Sequence, residues 1–252
     1  MSGKIALITG GNRGLGKSAI QHLARKGIDT LFTYRSHKEE ADQLTAEVAD
    51  LGAKAVAVHL DVADSSSFTA FAQTVQTMLE QHWDSRTFDY LVNNAGTGLH
   101  RPFTETSEEQ FDSLMNIHLK GPFFLTQKLL PLMADGGRII NISSGLARFT
   151  LPGSSAYATM KGGMEVLTRY MAKELGPRGI AVNIVAPGAI ETDFNGGMVR
   201  DNTQLNEFVA SQTALGRAGL ADDIGGLIAV MLADETRWVT GQRIEASGGM
   251  FL

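Results

Sequence analysis

Ile5-Ala6-Leu7-Ile8-Thr9-Gly10-Gly11-Asn12-Arg13-Gly14-Leu15-Gly16 is the stretch that decides the fold. Its four leading apolar residues read as a strand buried on both faces. A T-G-x-x-x-G-x-G turn follows at once, and a helix-period segment, Leu15–Lys26, begins inside it. A strand that passes through glycines into a helix is the opening of a βαβ unit. The glycines permit the tight turn, let backbone approach a pyrophosphate, and free the N–H groups at the helix start to hold it. Placed after the first strand, the turn points to a bound dinucleotide.

The same alternation continues outward to both ends. Strand-like runs fall at Ile5–Thr9, Thr30–Tyr34, Ala55–Asp61, Tyr90–Asn93, Arg138–Ser143, Ala181–Ala186 and Arg243–Ala246. Helix-period segments lie between them at Lys38–Leu51, Ser65–Gln81, Glu108–Met133, Ser155–Leu175 and Asp222–Ala233. The pattern predicts one α/β domain over residues 1–252: a Rossmann-like, doubly wound sheet of about seven parallel strands with helices on both faces. Gly27, Gly52, Gly136-Gly137 and Gly176 are expected to end helices. Residues 188–216 are too long for a plain connection and are expected to form a substrate-binding lid.

Composition narrows the class. A net charge of −5 gives no footprint for nucleic acid or an anionic membrane. The absence of cysteine excludes disulfides and thiolate–metal sites and fits a cytoplasmic chain. Met1-Ser2-Gly3-Lys4 runs straight into a strand-like segment, so no leader is expected, and no apolar run approaches the ~20 residues that span a bilayer.

The end of the second strand selects the cofactor. NAD binders usually place a carboxylate there for the ribose 2′-OH. Here the position is Tyr34, followed by Arg35, whose planar fork suits a 2′-phosphate. Arg13, inside the glycine-rich turn, can reach the same group. Two bases and a missing acid favour NADP(H).

Tyr-x-x-x-Lys occurs twice, as Tyr34–Lys38 and Tyr157–Lys161. Residues at i and i+4 share a helix face, and an ammonium beside a phenol favours the phenolate, so the tyrosine can give or take a proton at a carbonyl oxygen. Only the second copy has the right surroundings. Ser144 stands thirteen residues before Tyr157, at the end of the fifth strand, where open α/β sheets bind ligands. Its hydroxyl can steady charge developing on a substrate oxygen.

These motifs together resemble the short-chain dehydrogenase/reductase family over essentially the whole chain. The matching pieces are the glycine-rich turn, His59-Leu60-Asp61-Val62, Asn93-Asn94-Ala95-Gly96, Ser144, Tyr157-x-x-x-Lys161, Pro187-Gly188-Ala189-Ile190-Glu191-Thr192, Thr240-Gly241-Gln242 and Gly248-Gly249. The resemblance implies that Gly10, Asn12, Arg13, Gly14 and Leu15 cradle the cofactor phosphates, with Tyr34 and Arg35 at its adenine end. Asp61 and Val62 would meet the adenine, with Asn93, Ala95 and Gly96 lining its groove. Ile190 and Thr192 would anchor the carboxamide and pyrophosphate, with Pro187 and Gly188 also binding the cofactor. Lys161 would hold the nicotinamide ribose and depress the Tyr157 pKa. Tyr157 would be the general acid or base, with Ser144 orienting the carbonyl and no metal taking part.

One position departs from the family. Aligning on Gly121-Pro122-Phe123 puts His118 where an asparagine usually completes the tetrad. The family asparagine acts largely through its backbone carbonyl, which holds a water of the proton relay. A histidine can preserve that carbonyl or join through its ring. Leu146, Phe149, Phe194 and Met198, with Leu151, Pro152 and Leu205, make an apolar substrate pocket that suits a hydrophobic or aromatic ketone or aldehyde. The expected activity is NADPH-dependent reduction of a small-molecule carbonyl to an alcohol, reversibly. An acyl-carrier-protein 3-oxoacyl reductase is the alternative within the family, suggested by Arg178, while acidic Met133-Ala134-Asp135-Gly136-Gly137 argues against it. A cofactor-binding regulator without turnover is the alternative from another class. Family likeness also implies a homotetramer built on Glu108–Met133 and Ser155–Leu175.

Overall fold

The structure is a computed structural model and describes residues 3–252. Strands β1 (Ile5–Ile8), β2 (Asp29–Tyr34), β3 (Ala55–His59), β4 (Phe88–Asn93), β5 (Met133–Ile142), β6 (Ala181–Pro187) and β9 (Arg243–Ala246) form one parallel sheet, ordered β3-β2-β1-β4-β5-β6-β9. Side chains alternate along each strand, so two cores form on opposite faces. Ala6, Ile8, Phe32, Val92 and Ile140 pack against α1 (Gly14–Ala24), α2 (Lys38–Asp50) and α9 (Ala221–Met231). Ile5, Leu7, Leu31, Leu91 and Ile139 pack against α3 (Phe68–Trp83), α5 (Gly121–Leu129) and α6 (Ser155–Leu175). This is the Rossmann-like doubly wound fold, and strand order reverses between β1 and β4, where a crevice opens.

That switch point is stitched by one threonine. Thr9 Oγ1 accepts the N–H groups of Asn94 and Ala95, each at 3.0 Å. The Asn94 side-chain amide donates back to the carbonyls of Thr9 and Gly10, both at 2.9 Å. Helix α1 lies so close to this turn that a Cβ on Gly16 would meet the Asn94 amide at 2.7 Å and the Gly11 Cα at 2.9 Å.

The segment Glu108–Met133 is not the single helix expected from its period. It consists of α4 (Glu108–Met115), a π turn over Asn116–Lys120, then α5, and Met133 already belongs to β5. Two residues explain the break. Pro122 has no N–H to give the His118 carbonyl four residues back, and Gly121 sits hard against the Val62 carbonyl, where no Cβ fits. Gly136 and Gly137 lie inside β5, beside a register shift in its pairing with β4, and so end no helix. At the close of α6, Gly176 opens a 3-10 turn over Gly176–Arg178, and Gly179 takes the left-handed conformation at φ 68°.

Residues 188–216 are folded rather than looped. They contain β7 (Ile190–Glu191), a 3-10 turn at Phe194–Gly197, α7 (Met198–Asp201) and α8 (Thr203–Ser211). Strand β7 pairs in parallel with β8 (Gly219–Leu220), which fixes the root of the segment. Arg200 pins the tip by ion pairs to Asp193 and Asp201.

Candidate active site

A single cavity of about 480 Å³ runs along the carboxyl ends of the strands, from the glycine-rich turn to the 194–209 segment. At one end Gly10, Asn12, Arg13, Gly14 and Leu15 meet Thr33, Arg35 and Ser36. The turn is held by its own polar groups. Thr33 Oγ1 accepts from the Gly10 N–H at 3.2 Å, and the Asn12 amide donates to the Ser36 carbonyl and the Glu40 carboxylate, each at 3.2 Å. No acidic residue sits in the first turn of α1, so its free N–H groups keep their positive field. A Cβ on Gly10 would stand 2.9 Å from the Ala95 Cα, so this cradle tolerates no side chain there. A backbone cradle, free helix N–H groups and two arginines fit a phosphorylated dinucleotide. Asp61, Val62, Ala95, Gly96, Pro187, Gly188, Ile190 and Thr192 line the same cavity further along.

Ser144, Tyr157, Lys161 and His118 meet at the other end. Ser144 leaves β5 in extended backbone, and its Oγ accepts the Leu146 N–H at 3.2 Å, which frees the hydroxyl proton to donate elsewhere. Lys161, 5% exposed, donates to the Ile142 carbonyl at 2.8 Å and lies 5.5 Å from the Tyr157 ring centre. Burial pushes the Lys161 ammonium down to about 7. Burial also raises the Tyr157 phenol well above its usual value, and a hydrogen bond from Ser144 opposes that only in part. The phenol is therefore raised rather than lowered, against expectation: loss of solvent outweighs the Ser144 hydrogen bond, and the Lys161 ammonium is engaged by the Ile142 carbonyl instead.

His118 is 1% exposed and meets the Tyr157 ring edge-on at 5.1 Å. Its Nε2 stands 2.6 Å from the Thr97 carbonyl, a contact that requires an N–H on that nitrogen. Nδ1 is then a bare acceptor, buried without a partner among the described residues. Burial, with the nearby Lys161 charge, depresses the imidazole to about 3. The ring is neutral at ordinary pH and close-packed: a Cβ on Gly96 would touch its Cε1 at 2.8 Å.

Three expected site residues stand off the cavity. Asn93 is buried beneath it, donating to Thr126 Oγ1 at 3.0 Å and Asn141 Oδ1 at 2.8 Å, which ties β4 to β5 and α5. Asn94 lines the wall in its stead. Tyr34 turns onto the His59 ring at 5.8 Å, leaving Arg35 alone on the wall. Phe149 packs on Phe251 and fills the space over Gly145.

The pocket wall comprises Leu146, Leu151, Pro152, Phe194 and Met198, with Phe194 tilted 6.1 Å from the Tyr157 ring. His100, Asn195, Phe208, Val209 and Met250 also line it, unforeseen from sequence. Two of them close the rim. The His100 imidazole lies where a Cβ on Gly153 would be, and the Asn195 side chain lies where one on Gly98 would be. Glycine pairs of this kind leave no periodic mark in a sequence.

Fold and cavity together are those of a dinucleotide-binding α/β protein, and comparison with known proteins gives the family. The family model described as enoyl-(acyl carrier protein) reductase matches residues 10–251. The chain belongs to the short-chain dehydrogenase/reductase family. It is 34% identical to the 3-oxoacyl-[acyl-carrier-protein] reductase FabG of Staphylococcus aureus over 251 residues, 99% of this chain and 98% of that one. Among solved structures it resembles the promiscuous reductase LugOII, which catalyses keto-reduction at C1 during lugdunomycin biosynthesis. That likeness has a TM-score of 0.94 and 38% identity, covering 100% of this chain and 99% of that one. It also resembles the angucycline C-6 ketoreductase LanV with bound NADP, at a TM-score of 0.94 and 31% identity, covering 99% and 96%. No helix among the described residues is long and apolar enough to cross a membrane.

Proposed function

We propose that the protein reduces a hydrophobic, ring-bearing ketone or aldehyde to its alcohol, using NADPH. The observation that carries this reading is the convergence of Ser144, Tyr157 and Lys161 on one wall of a cavity whose far end holds the glycine cradle, Arg13 and Arg35. On this reading Gly10, Asn12, Gly14, Leu15, Asp61, Val62, Ala95, Gly96, Pro187, Gly188, Ile190 and Thr192 hold the dinucleotide. Arg13 and Arg35 take its 2′-phosphate. NADPH supplies, when bound, a hydride for the carbonyl carbon.

The protein's own part is to orient and to move a proton. The Ser144 hydroxyl, its oxygen already engaged by the Leu146 N–H, donates to the carbonyl oxygen. Tyr157 keeps its phenol protonated because burial raises its pKa, so it stands ready as the acid. Lys161, poised near 7, can pass a proton on to restore that phenol. At position 118 the backbone carbonyl is the part that serves: Pro122 withholds its helical donor, while the ring is too hard to protonate to carry protons.

Phe194, Met198, Leu146, Phe208 and Val209 supply flat and deformable apolar surface, which suits fused rings. LugOII is described by keto-reduction at C1 in lugdunomycin biosynthesis and LanV as an angucycline C-6 ketoreductase, which supports a ketone as the substrate. Reduction of a carrier-bound 3-oxoacyl thioester is the rival, given the likeness to FabG. That acidic partner wants free basic groups, yet Arg178 is spent internally, pairing with Asp135 at 2.7 Å and donating to the carbonyls of Leu130 and Met133. Exposed Phe111, Phe123, Phe124, Val166 and Tyr170 on α4 to α6 support a tetramer assembled through those helices. Initial rates with NADPH and NADH over ketones, aldehydes and 3-oxoacyl thioesters test the reading. Turnover is expected with NADPH and polycyclic ketones, and preference for the carrier thioester would overturn it.

A further inference from the structure

A second polar cluster lies behind the catalytic wall and takes no part in the chemistry proposed above. Glu165 sits one helical turn beyond Lys161 on α6, so both side chains leave the same face. Each reaches the end of β5. Lys161 donates to the Ile142 carbonyl at 2.8 Å, and the Glu165 carboxylate accepts the Ser143 hydroxyl at 2.7 Å. Arg243 of β9 donates Nε to the same Glu165 oxygen at 2.6 Å, and a second nitrogen stands 3.4 Å from the Ser144 carbonyl. The chain of charges runs on. Arg243 pairs with Glu245 at 2.8 Å, and Glu245 takes a two-toothed contact from Arg148 at 2.7 and 2.8 Å. Arg148 also donates to the carbonyls of Met250 and Phe251, next to the C-terminus.

We infer that Glu165, clamped by Arg243, is a positioning residue that sets the register of Tyr157 against Ser144. Tyr157 rides on α6 and Ser144 on the end of β5, so their approach depends on how that helix is seated on that strand end. Further along the helix the Asn141 amide of β5 donates to Thr168 of α6 at 2.9 Å, so Glu165 is the anchor between Lys161 and Thr168 and the one that grips the residue next to Ser144. Arg243 adds a further task. It balances a carboxylate whose side chain is 15% exposed and keeps that charge directed at Ser143 rather than at Lys161. The groups that touch the Glu165 carboxylate are thus Ser143, at the end of β5, and Arg243 from β9. A misplacement near 1 Å costs on the order of 100-fold in rate.

This inference rests on the reductase reading, so its test has one arm with turnover and one without. In the turnover arm, Glu165→Ala is expected to lower kcat roughly 10- to 100-fold with little change in the NADPH KM. Glu165→Gln, which still accepts from Ser143, is expected to recover most of it. In the other arm the four tyrosines carry a ¹³Cζ label. The Tyr157 resonance, assigned through Tyr157→Phe, is expected to move in Glu165→Ala while those of Tyr34, Tyr90 and Tyr170 stay. Ser143→Ala, which leaves the Glu165–Arg243 pair intact, is expected to move the same resonance and covers the case that Glu165→Ala does not fold. A lowered melting temperature with kcat and the Tyr157 resonance unchanged would make the cluster merely structural and overturn the inference. A wild type without turnover would sink the reductase reading alone, and the resonance would still decide the positioning role.

Discussion

The His118 imidazole stands edge-on to the Tyr157 ring, with centroids 5.1 Å apart and planes at 85°. Its one short polar contact, Nε2 to the Thr97 carbonyl at 2.6 Å, fastens the loop after β4 to the π turn. The ring thus buttresses the tyrosine and the loop, and the backbone carbonyl beside it remains for the relay. His118→Asn keeps that carbonyl and is expected to keep most of kcat, with an unchanged pH profile in steady-state rates. A large loss, or a displaced acid limb, would mean that the ring takes part.

The same histidine carries a stability cost in acid. Its ordinary pKa of 6.5 falls to about 3 in the fold, so between those values the unfolded chain binds a proton that the folded one refuses. The stability it contributes is whole above pH 6.5 and drains away as pH falls toward 3, at up to about 1.4 kcal/mol per pH unit. Urea unfolding of wild type and His118→Asn from pH 7 to pH 4 measures this. The gap between the two should shift in favour of the variant as the solution becomes more acid.

How much of this was legible in the sequence depends on what each residue answers to. The strands and the glycine-rich turn obey periodic or local rules, and Ser144, Tyr157 and Lys161 are placed by those elements. The π turn was hidden because Glu108–Met133 keeps a helical period through it, and only the joint effect of Pro122 and the Val62 carbonyl breaks the ladder. Asn93 and Asn94 are neighbours of one type, and which faces the crevice is set by strand alternation one residue either way. The raised Tyr157 phenol follows from burial, which no spacing encodes. His100 and Asn195 reach the rim only because Gly153 and Gly98, remote in sequence, lack side chains.

Arg35 lines the cavity at the cradle end, directly after β2. Arg35→Ala should raise the NADPH KM roughly 10- to 100-fold, the worth of one or two charge-assisted hydrogen bonds, and leave the NADH value nearly untouched. Parallel titrations of initial rate with both cofactors provide the measurement. Equal effects on the two would remove Arg35 from the 2′-phosphate.

At the rim, Asn195 occupies the volume that any Cβ on Gly98 would need. Gly98→Ala should therefore push the 194–197 turn outward and weaken ketone binding by about tenfold, near 1.4 kcal/mol. The cofactor end lies far along the cavity, so fluorescence titration with NADPH should give an unaltered affinity. A variant with normal ketone KM would show that the turn does not close on substrate.

The central claim is that the Tyr157 hydroxyl delivers the proton to a carbonyl oxygen beside Ser144. Tyr157→Phe removes that oxygen and little else, since the ring contacts with His118 and Phe194 survive. The decisive measurement is kcat for ketone reduction by this variant beside its NADPH affinity. The expected result is a loss of roughly 10²- to 10⁴-fold in kcat with affinity close to wild type. A variant that still turns over within a few-fold of wild type would contradict the account.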